Sequence, residues 1–374
     1  MYLSEIELRN FRNYENRKVA FSPGINVFIG ENAQGKTNLL EAIYVLAMTR
    51  SHRTANDREL INWQAKEALV KGTVIKQTGR VPLEVLLGTR GKRVKVNHLF
   101  QSRLSTYIGN LNVVLFAPED LALVKGAPQE RRQFMDTEFS QMSSHYLYAI
   151  SQFRGLLKQR NEYLKQLKYG GQADQVLLDV LSDQLADSGA AVMAMRFKLI
   201  KRLETWSAQL HDHISQQKEV LKLKYISQVM VEDETTEKEI ATQLQNLYHE
   251  HLAQEIKLGT TLYGPQRDDI RFLVNDQDVH RFGSQGQQRT TALSVKLAEI
   301  DLMNEQTGEY PLLLLDDVLS ELDDDRQTHL LTAIQDKVQT FLTTTSLSGV
   351  ARQLINRPTI FQIAHGTIDK EDIK

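Results

Sequence analysis

The run Gly30-Glu31-Asn32-Ala33-Gln34-Gly35-Lys36-Thr37 fits the pattern G-x-x-x-x-G-K-[ST] at every position, and it narrows the possible folds more than any other stretch of this chain. Residues 25–29, Ile-Asn-Val-Phe-Ile, are apolar enough for a buried strand. Behind the run, Leu39, Leu40, Ile43, Leu46 and Ala47 recur on one face of a helix. A glycine-rich loop in that setting has a physical purpose. The glycines let consecutive backbone N–H groups turn inward around phosphate oxygens, and the helix N-terminus adds positive potential. Lys36 supplies a point charge to the outer phosphates, and the Thr37 hydroxyl is a ligand for magnesium. Residues 30–37 are therefore a candidate nucleotide cradle.

Such a cradle needs an acidic partner to hold the metal. Leu312-Leu313-Leu314-Leu315-Asp316-Asp317 is a buried strand ending in two carboxylates, and the C-terminal end of an interior strand meets the nucleotide crevice. Asp316 is the candidate for the magnesium shell, and Asp317 the candidate for orienting water toward a terminal phosphate. A solvated acidic turn is the alternative, to which Asp323-Asp324-Asp325 lends some weight. Ahead of that strand stands Phe282-Gly283-Ser284-Gln285-Gly286-Gln287-Gln288-Arg289, then a helix over 290–304. Ser-x-Gly-Gln at a helix start presents a hydroxyl and backbone donors to an anion.

The chain changes texture twice. Up to about residue 115 it reads as strands at 3–8, 18–21, 25–29, 69–75, 82–87, 93–96 and 112–116, plus one helix. Beyond Pro118 it turns helical. Tyr146, Ile150, Phe153, Leu157, Leu164 and Leu167 form a heptad seam with Arg160 at the missing step, and Leu178, Leu181, Leu185, Ser188, Val192, Met195 and Leu199 form a second. The break at Gly170-Gly171 predicts an antiparallel hairpin, either an ordinary helical subdomain or a projecting arm. From about 260 the alternation returns: strands at 271–274 and 279–282, a helix at 288–304, a strand at 312–315, a helix near 326–336, and strands near 340–344 and 360–363. Strands alternating with helices imply a largely parallel sheet. The expected organisation is one α/β domain, 1–118 plus 260–374, with an antiparallel β subdomain and a helical insertion at 119–259.

The order of these elements, phosphate loop, large insertion, S-x-G-Q, four apolar residues with Asp-Asp, then Ser320-Glu321-Leu322-Asp323, resembles the heads of ATP-binding-cassette and SMC-type ATPases. Within that class the chain resembles the RecF family of bacterial recombination-mediator ATPases. The phrases that carry the likeness are Leu8–Tyr14 (LRNFRNY), residues 30–42, Phe116-Ala117-Pro118-Glu119-Asp120-Leu121, Gly264-Pro265-Gln266-Arg267-Asp268-Asp269 and residues 282–289. The resemblance implies a head that dimerises around ATP and Mg2+. Ser284, Gly286 and Gln287 of one copy would close over the phosphates held by residues 30–37 of the other. Asp323 would lie at the interface and Arg12 near the nucleotide. It also implies binding to double-stranded and gapped DNA, work with RecR and through it RecO and RecA at single-strand gaps, and slow hydrolysis of ATP as a switch. Two departures stand out. Asp317 replaces the usual Glu, which places a base less well and implies slow turnover. The usual histidine after the next strand is replaced within Thr343-Thr344-Thr345, by Thr345 in the simplest alignment. An SMC-like chromosome-organising head is the competing reading, disfavoured by the short helical seams.

Composition then limits the partners. With 45 basic and 47 acidic residues in 374 the chain is nearly neutral, so any nucleic-acid surface is a local patch. Arg90, Lys92, Arg93, Lys95 and Arg103, with His98, form the densest basic stretch, able to meet backbone phosphates without reading sequence. A solvated, alternating strand surface is the equal alternative. The absence of cysteine excludes disulfides and thiolate chemistry. With no apolar run near 20 residues and no basic-then-apolar leader, the expected location is cytoplasmic, with the nucleoid, and no membrane partner.

Overall fold

A computed structural model describes residues 1–89, 91–170, 175–346, 354–355 and 357–371. In chain order its strands are β1 (Tyr2–Phe11), β2 (Tyr14–Ala20), β3 (Ile25–Ile29), β4 (Glu67–Lys76), β5 (Gly79–Gly88), β6 (Gly91–Val96), β7 (Leu99–Phe100) and β8 (Val113–Phe116). There follow β9 (Leu221–Ile226), β10 (Asp269–Val274), β11 (Gln277–Asp278), β12 (Leu312–Asp316), β13 (Thr340–Thr344), β14 (Thr359–Ala364) and β15 (Thr367–Glu371). The chain forms two compact units, Met1–Asp120 with Lys296–Lys374, and Leu121–Val295.

The first unit holds two six-stranded sheets. One runs β15-β14-β3-β13-β12-β8 and is parallel except for β15. Every residue of β12 and β13 is buried, as expected of strands flanked on both sides. The other sheet, β2-β1-β4-β5-β6-β7, is antiparallel throughout. Leu39, Leu40, Ile43 and Leu46 of the helix Lys36–Met48 share a core with Leu3, Leu8, Val70 and Val85 of the antiparallel sheet and with Phe28, Leu312 and Phe341 of the parallel one. That helix is buried all round except at Thr37 and Asn38, rather than along the single face its periodicity predicts. It is a filling between two sheets.

This topology positions the site. β13 lies between β3 and β12, all three parallel, so their C-terminal ends emerge side by side. The loop leaving β3 carries the glycine run, and β12 ends at Asp316. Ligands in open parallel sheets bind at that edge.

The second unit is mainly helical. Helices Ser144–Lys168 and Gln175–Ile214 are about 38 and 60 Å long at 1.5 Å per residue. They pack antiparallel, since Arg160 bonds Ser182 while Arg196 bonds Tyr146. Tyr146, Ile150, Phe153 and Leu164 are buried along the first, and Leu178, Leu185, Val192 and Leu199 along the second, following the two seams. Arg160 occupies its heptad position fully buried, paired with Glu255 at 2.7 Å and lying 4.6 Å over the Tyr248 ring. Of the expected glycine break, Gly171 lies outside the described residues.

Two elements differ from the sequence expectation. Residues 279–282 form a short helix rather than a strand, because the Asp278 carboxylate accepts from His280 N at 2.9 Å and caps it. Strand β9, whose Leu221-Lys-Leu223-Lys alternation went unread, pairs with β10 in the sheet β11-β10-β9. That pairing ties residues 269–278 to the helical unit, so this unit reaches Val295, whereas the sequence division returns to the α/β domain at 260.

Candidate nucleotide site

The glycine run closes on itself. Lys36 Nζ donates to the carbonyls of Gly30 at 2.7 Å and Glu31 at 2.8 Å, so the loop arches over its own lysine. Ala33 and Gly35 take positive φ, 64° and 118°, the alternation that turns backbone N–H groups toward one point. A Cβ at Gly35 would lie 2.7 Å from Asn13 Nδ2 and 2.9 Å from the Tyr14 hydroxyl; one at Gly30 would lie 2.2 Å from the Ile363 carbonyl oxygen. A side chain at Gly30 would have to move backbone, and one at Gly35 would displace the Asn13 and Tyr14 side chains and strain its positive φ.

Those close approaches show how the loop is braced. From the β1–β2 turn, Asn13 Nδ2 donates to Gln34 O at 3.2 Å and the buried Tyr14 hydroxyl donates to Gly35 O at 2.9 Å. From the β14–β15 turn, His365 N donates to Gln34 Oε1 at 2.7 Å and Gly366 N to Gln34 O at 3.2 Å. Glu31, Asn32 and Ala33 remain exposed at the crest. The guanidinium of Arg12, expected near the nucleotide, makes two 2.9 Å bonds to the fully buried Glu41 and a third to Glu59 O. Burial pushes the Glu41 carboxyl up, but Arg12 and Ser51 hydrogen bonds and the charges of Arg12 and Arg53 outweigh it and hold it below the usual range.

The acidic strand meets the loop directly. Thr37 Oγ1 donates to Asp316 Oδ1 at 2.9 Å, and Thr343 Oγ1 donates to the same oxygen at 2.7 Å. Thr343 stands opposite Asp316 in the β12–β13 register and in turn accepts from Asp317 N at 2.9 Å. Asp317 takes φ 54°, which turns it out of the sheet, and it is exposed. A cavity collects Lys36, Thr37, Asp317, Thr343 and Arg53 around the loop backbone. Burial lowers the Lys36 pKa, with Asp317 and Asp316 opposing the shift. The residues fit a magnesium nucleotide: two oxygens bound at right angles to one ion at 2.0–2.1 Å lie about 2.9 Å apart, which is the Thr37–Asp316 spacing. A magnesium ion that keeps several waters and takes phosphate oxygens asks little more of a protein.

The second unit carries the Ser-x-Gly-Gln element at the start of the helix Gln285–Thr307. Ser284 Oγ accepts from Gln287 N at 3.2 Å while Gln287 Oε1 accepts from Ser284 N at 2.9 Å, a reciprocal capping box. Ser284 is exposed and Gly286 half-buried. The Gln287 side chain is engaged by its own helix start and by Glu219, at 2.9 Å. Asp323 caps the helix Asp324–Ile334, accepting from Arg326 N at 2.9 Å.

Arg53 and Thr343 line the cavity and were not singled out from the sequence. Arg53 lines the cavity and donates to Asn38 Oδ1 at 3.1 Å; its signal was the cation cluster Arg50-Ser-His-Arg53 just beyond the helix. Thr343, not Thr345, is the threonine in contact with the acidic pair.

The basic stretch is largely neutralised. Lys92 pairs with Asp57 at 3.0 Å, Lys95 with Glu84 at 2.9 Å and Arg93 with Glu67 at 3.7 Å. Arg103 is exposed without an ion-pair partner among the described residues, and Arg90 lies outside them.

Comparison with known proteins matches the "RecF/RecN/SMC N terminal domain" family over residues 2–367. The "DNA replication and repair protein RecF" of Limosilactobacillus fermentum is 70% identical over 372 residues, covering both chains fully, and that of Enterococcus faecalis is 53% identical over 375, covering 99% of each. A solved structure of the "recombination mediator protein RecF-ATP in RecFOR pathway" superposes with a TM-score of 0.92 at 34% identity, covering 99% of this chain and 98% of that one. An Smc head from Pyrococcus furiosus shares the fold at 16% identity and a TM-score of 0.56. The loop braced by the β1–β2 turn, the Asp316 contact and the capped Ser-x-Gly-Gln helix thus sit in a chain that belongs to the RecF family, within the wider RecF/RecN/SMC group.

Proposed function

We propose that this chain is an ATP-dependent recombination mediator, two copies of which associate around ATP. The cradle 30–37 of one copy holds the phosphates, and the Ser284 turn of the other closes over them. The observation that carries the reading is the Thr37–Asp316–Thr343 contact beside a formed phosphate loop. The likeness to a RecF structure with ATP supports the choice of nucleotide.

Each residue has a task in this reading. Lys36 leaves the Gly30 and Glu31 carbonyls and neutralises the outer phosphates. Thr37 and Asp316 hold magnesium, which when bound would draw charge off the terminal phosphate. Asp317, exposed at the cavity edge, orients the attacking water. Its side chain is one methylene shorter than glutamate, so hydrolysis is slow and serves to time release. Arg12 supports the loop through Asn13 and Tyr14, and Asp323 lies near the shared interface. The mediator would bind gapped and double-stranded DNA and work through RecR with RecO to load RecA, in the cytoplasm at the nucleoid. Among the described residues no helix is long and apolar enough to cross a membrane.

Light scattering of the wild-type chain with ATP and magnesium, with and without gapped DNA, tests the shared site; a monomer throughout refutes it. Ser284→Arg should bind ATP as a monomer and fail to dimerise.

A further inference from the structure

A chain of side-chain hydrogen bonds runs behind the Ser284 turn and is used by nothing described so far. Gln287 Nε2 donates to Glu219 Oε1 at 2.9 Å. The other oxygen of that carboxylate lies 3.1 Å from Nε2 of His211, a fully buried imidazole in the last turn of the helix Gln175–Ile214. The opposite ring nitrogen, Nδ1, lies 3.3 Å from Ser294 Oγ, which is back on the helix that Ser284 opens.

Chemistry fixes the direction of each bond. Ser284 N donates to Gln287 Oε1, so the amide cannot be flipped, and its NH2 must face an acceptor. Glu219 is that acceptor, with one oxygen for Gln287 and one for His211. Facing a carboxylate, His211 Nε2 carries the proton; the Ser294 hydroxyl gives its own proton to Thr290 O at 2.8 Å, so it sits against Nδ1 without donating to it. Burial lowers the His211 pKa, opposed by the hydrogen bond and charge of Glu219 and by Asp212, which agrees with a neutral ring. From Ser284 N to His211 Nε2 each donor in the row then meets an acceptor.

We propose that Glu219 and His211 are positioning residues for the Ser-x-Gly-Gln turn: they clamp Gln287, and through it the Ser284 cap, in the shape that receives the phosphates of a second copy. Neither touches nucleotide. The clamp rests on the shared-site reading for its purpose, and its geometry stands apart from it. Without Glu219 the Gln287 amide has no carboxylate acceptor among the described residues, and the first turn of the helix frays.

Hydrogen exchange over residues 285–290 in the full-length monomer, followed by sedimentation with ATP and magnesium, tests this. Glu219→Ala should exchange about tenfold faster in that segment and associate about tenfold more weakly, the size expected for one lost bond to a charged acceptor. ATP affinity of the monomer should stay unchanged. Glu219→Gln should restore both, since its carbonyl oxygen still accepts from Gln287 while His211 exchanges tautomer. Wild-type exchange in Glu219→Ala would overturn the clamp. If Glu219→Ala does not fold, 15N shifts of His211 in the wild type decide: an Nδ1–H ring would overturn it, and an Nε2–H ring supports it. A wild type that never dimerises would refute the shared site alone, leaving exchange to judge the clamp.

Discussion

Thr37 Oγ1 donates to Asp316 Oδ1 at 2.9 Å across a sequence separation of 279 residues. The hydroxyl opens the first helix and the carboxylate ends β12, so the contact exists only because β13 holds β3 and β12 one strand apart. Asp316 Oδ1 takes a second hydroxyl from Thr343, leaving the carboxylate oriented before any ion arrives. Asp316→Asn keeps the shape and removes the charge. It should weaken magnesium-dependent ATP binding at least tenfold, a loss near 1.4 kcal/mol or more, and abolish hydrolysis, while binding measured in EDTA stays as in the wild type. Titration of a fluorescent ATP analogue with and without magnesium would check this.

Asp317 offers a separable experiment. It is exposed, turned outward by its left-handed backbone, and anchored through its main chain, the amide on Thr343 and the carbonyl on the Ser320 hydroxyl. Asp317→Asn should leave ATP binding and association within about twofold of wild type and reduce single-turnover hydrolysis by a factor of 10² or more, the scale of a lost catalytic base. Equal loss of binding would mean that the side chain holds nucleotide instead.

Much of this site was legible because its parts are short and chemically specific. Residues 30–37 and 312–317 announce themselves by glycine, lysine, threonine and a run of leucines, and Ser284–Gln287 by a serine and a glycine at a helix start. What stayed hidden depends on register. Thr343 matters because it sits opposite Asp316, and no local pattern distinguishes it from Thr344 or Thr345. The pairing of the basic stretch also depends on register: each lysine reads as free in sequence, while the antiparallel register sets Lys95 opposite Glu84. Strand β9 was overlooked because its partner β10 lies over 40 residues further on.

The second unit contains a buried ion pair whose halves depend on each other. Arg160 and Glu255 are both fully buried and paired at 2.7 Å, with Thr261 and Ser182 completing the guanidinium bonds and Leu262 N donating to Glu255 at 2.7 Å. Breaking one side of such a pair strands the other charge. Glu255→Leu should destabilise the helical unit by about 3–5 kcal/mol, seen as an early transition in urea. The double variant Arg160→Met with Glu255→Leu should recover most of that loss, because an apolar pair of similar volume leaves no charge unpaired.

His52 sets a pH dependence in the first unit. Its ring stands edge-on to Tyr44, centroids 5.1 Å apart, and neither nitrogen has a hydrogen-bond partner among the described residues. Burial lowers its pKa; Glu41, Asp316 and Glu119 oppose that, and Arg53 adds to it. The unfolded chain therefore binds the proton first, so folding stability falls as pH drops below about 6.5, by at most about 1.4 kcal/mol per pH unit for one group. His211, lowered by burial as well, acts in the same direction. Asp268, pushed up to about 6 by burial against its arginine partners, acts oppositely and stabilises as pH falls from 6 toward 4. His52→Phe keeps the edge contact and removes both unpartnered nitrogens. It should be more stable than wild type by about 1 kcal/mol at pH 7 and lose part of the slope between pH 7 and 5.5, the remainder being set by His211 against Asp268. Chemical denaturation at four pH values would read both effects, and an unaltered slope would mean that the His52 ring does not titrate differently in the folded and unfolded chain.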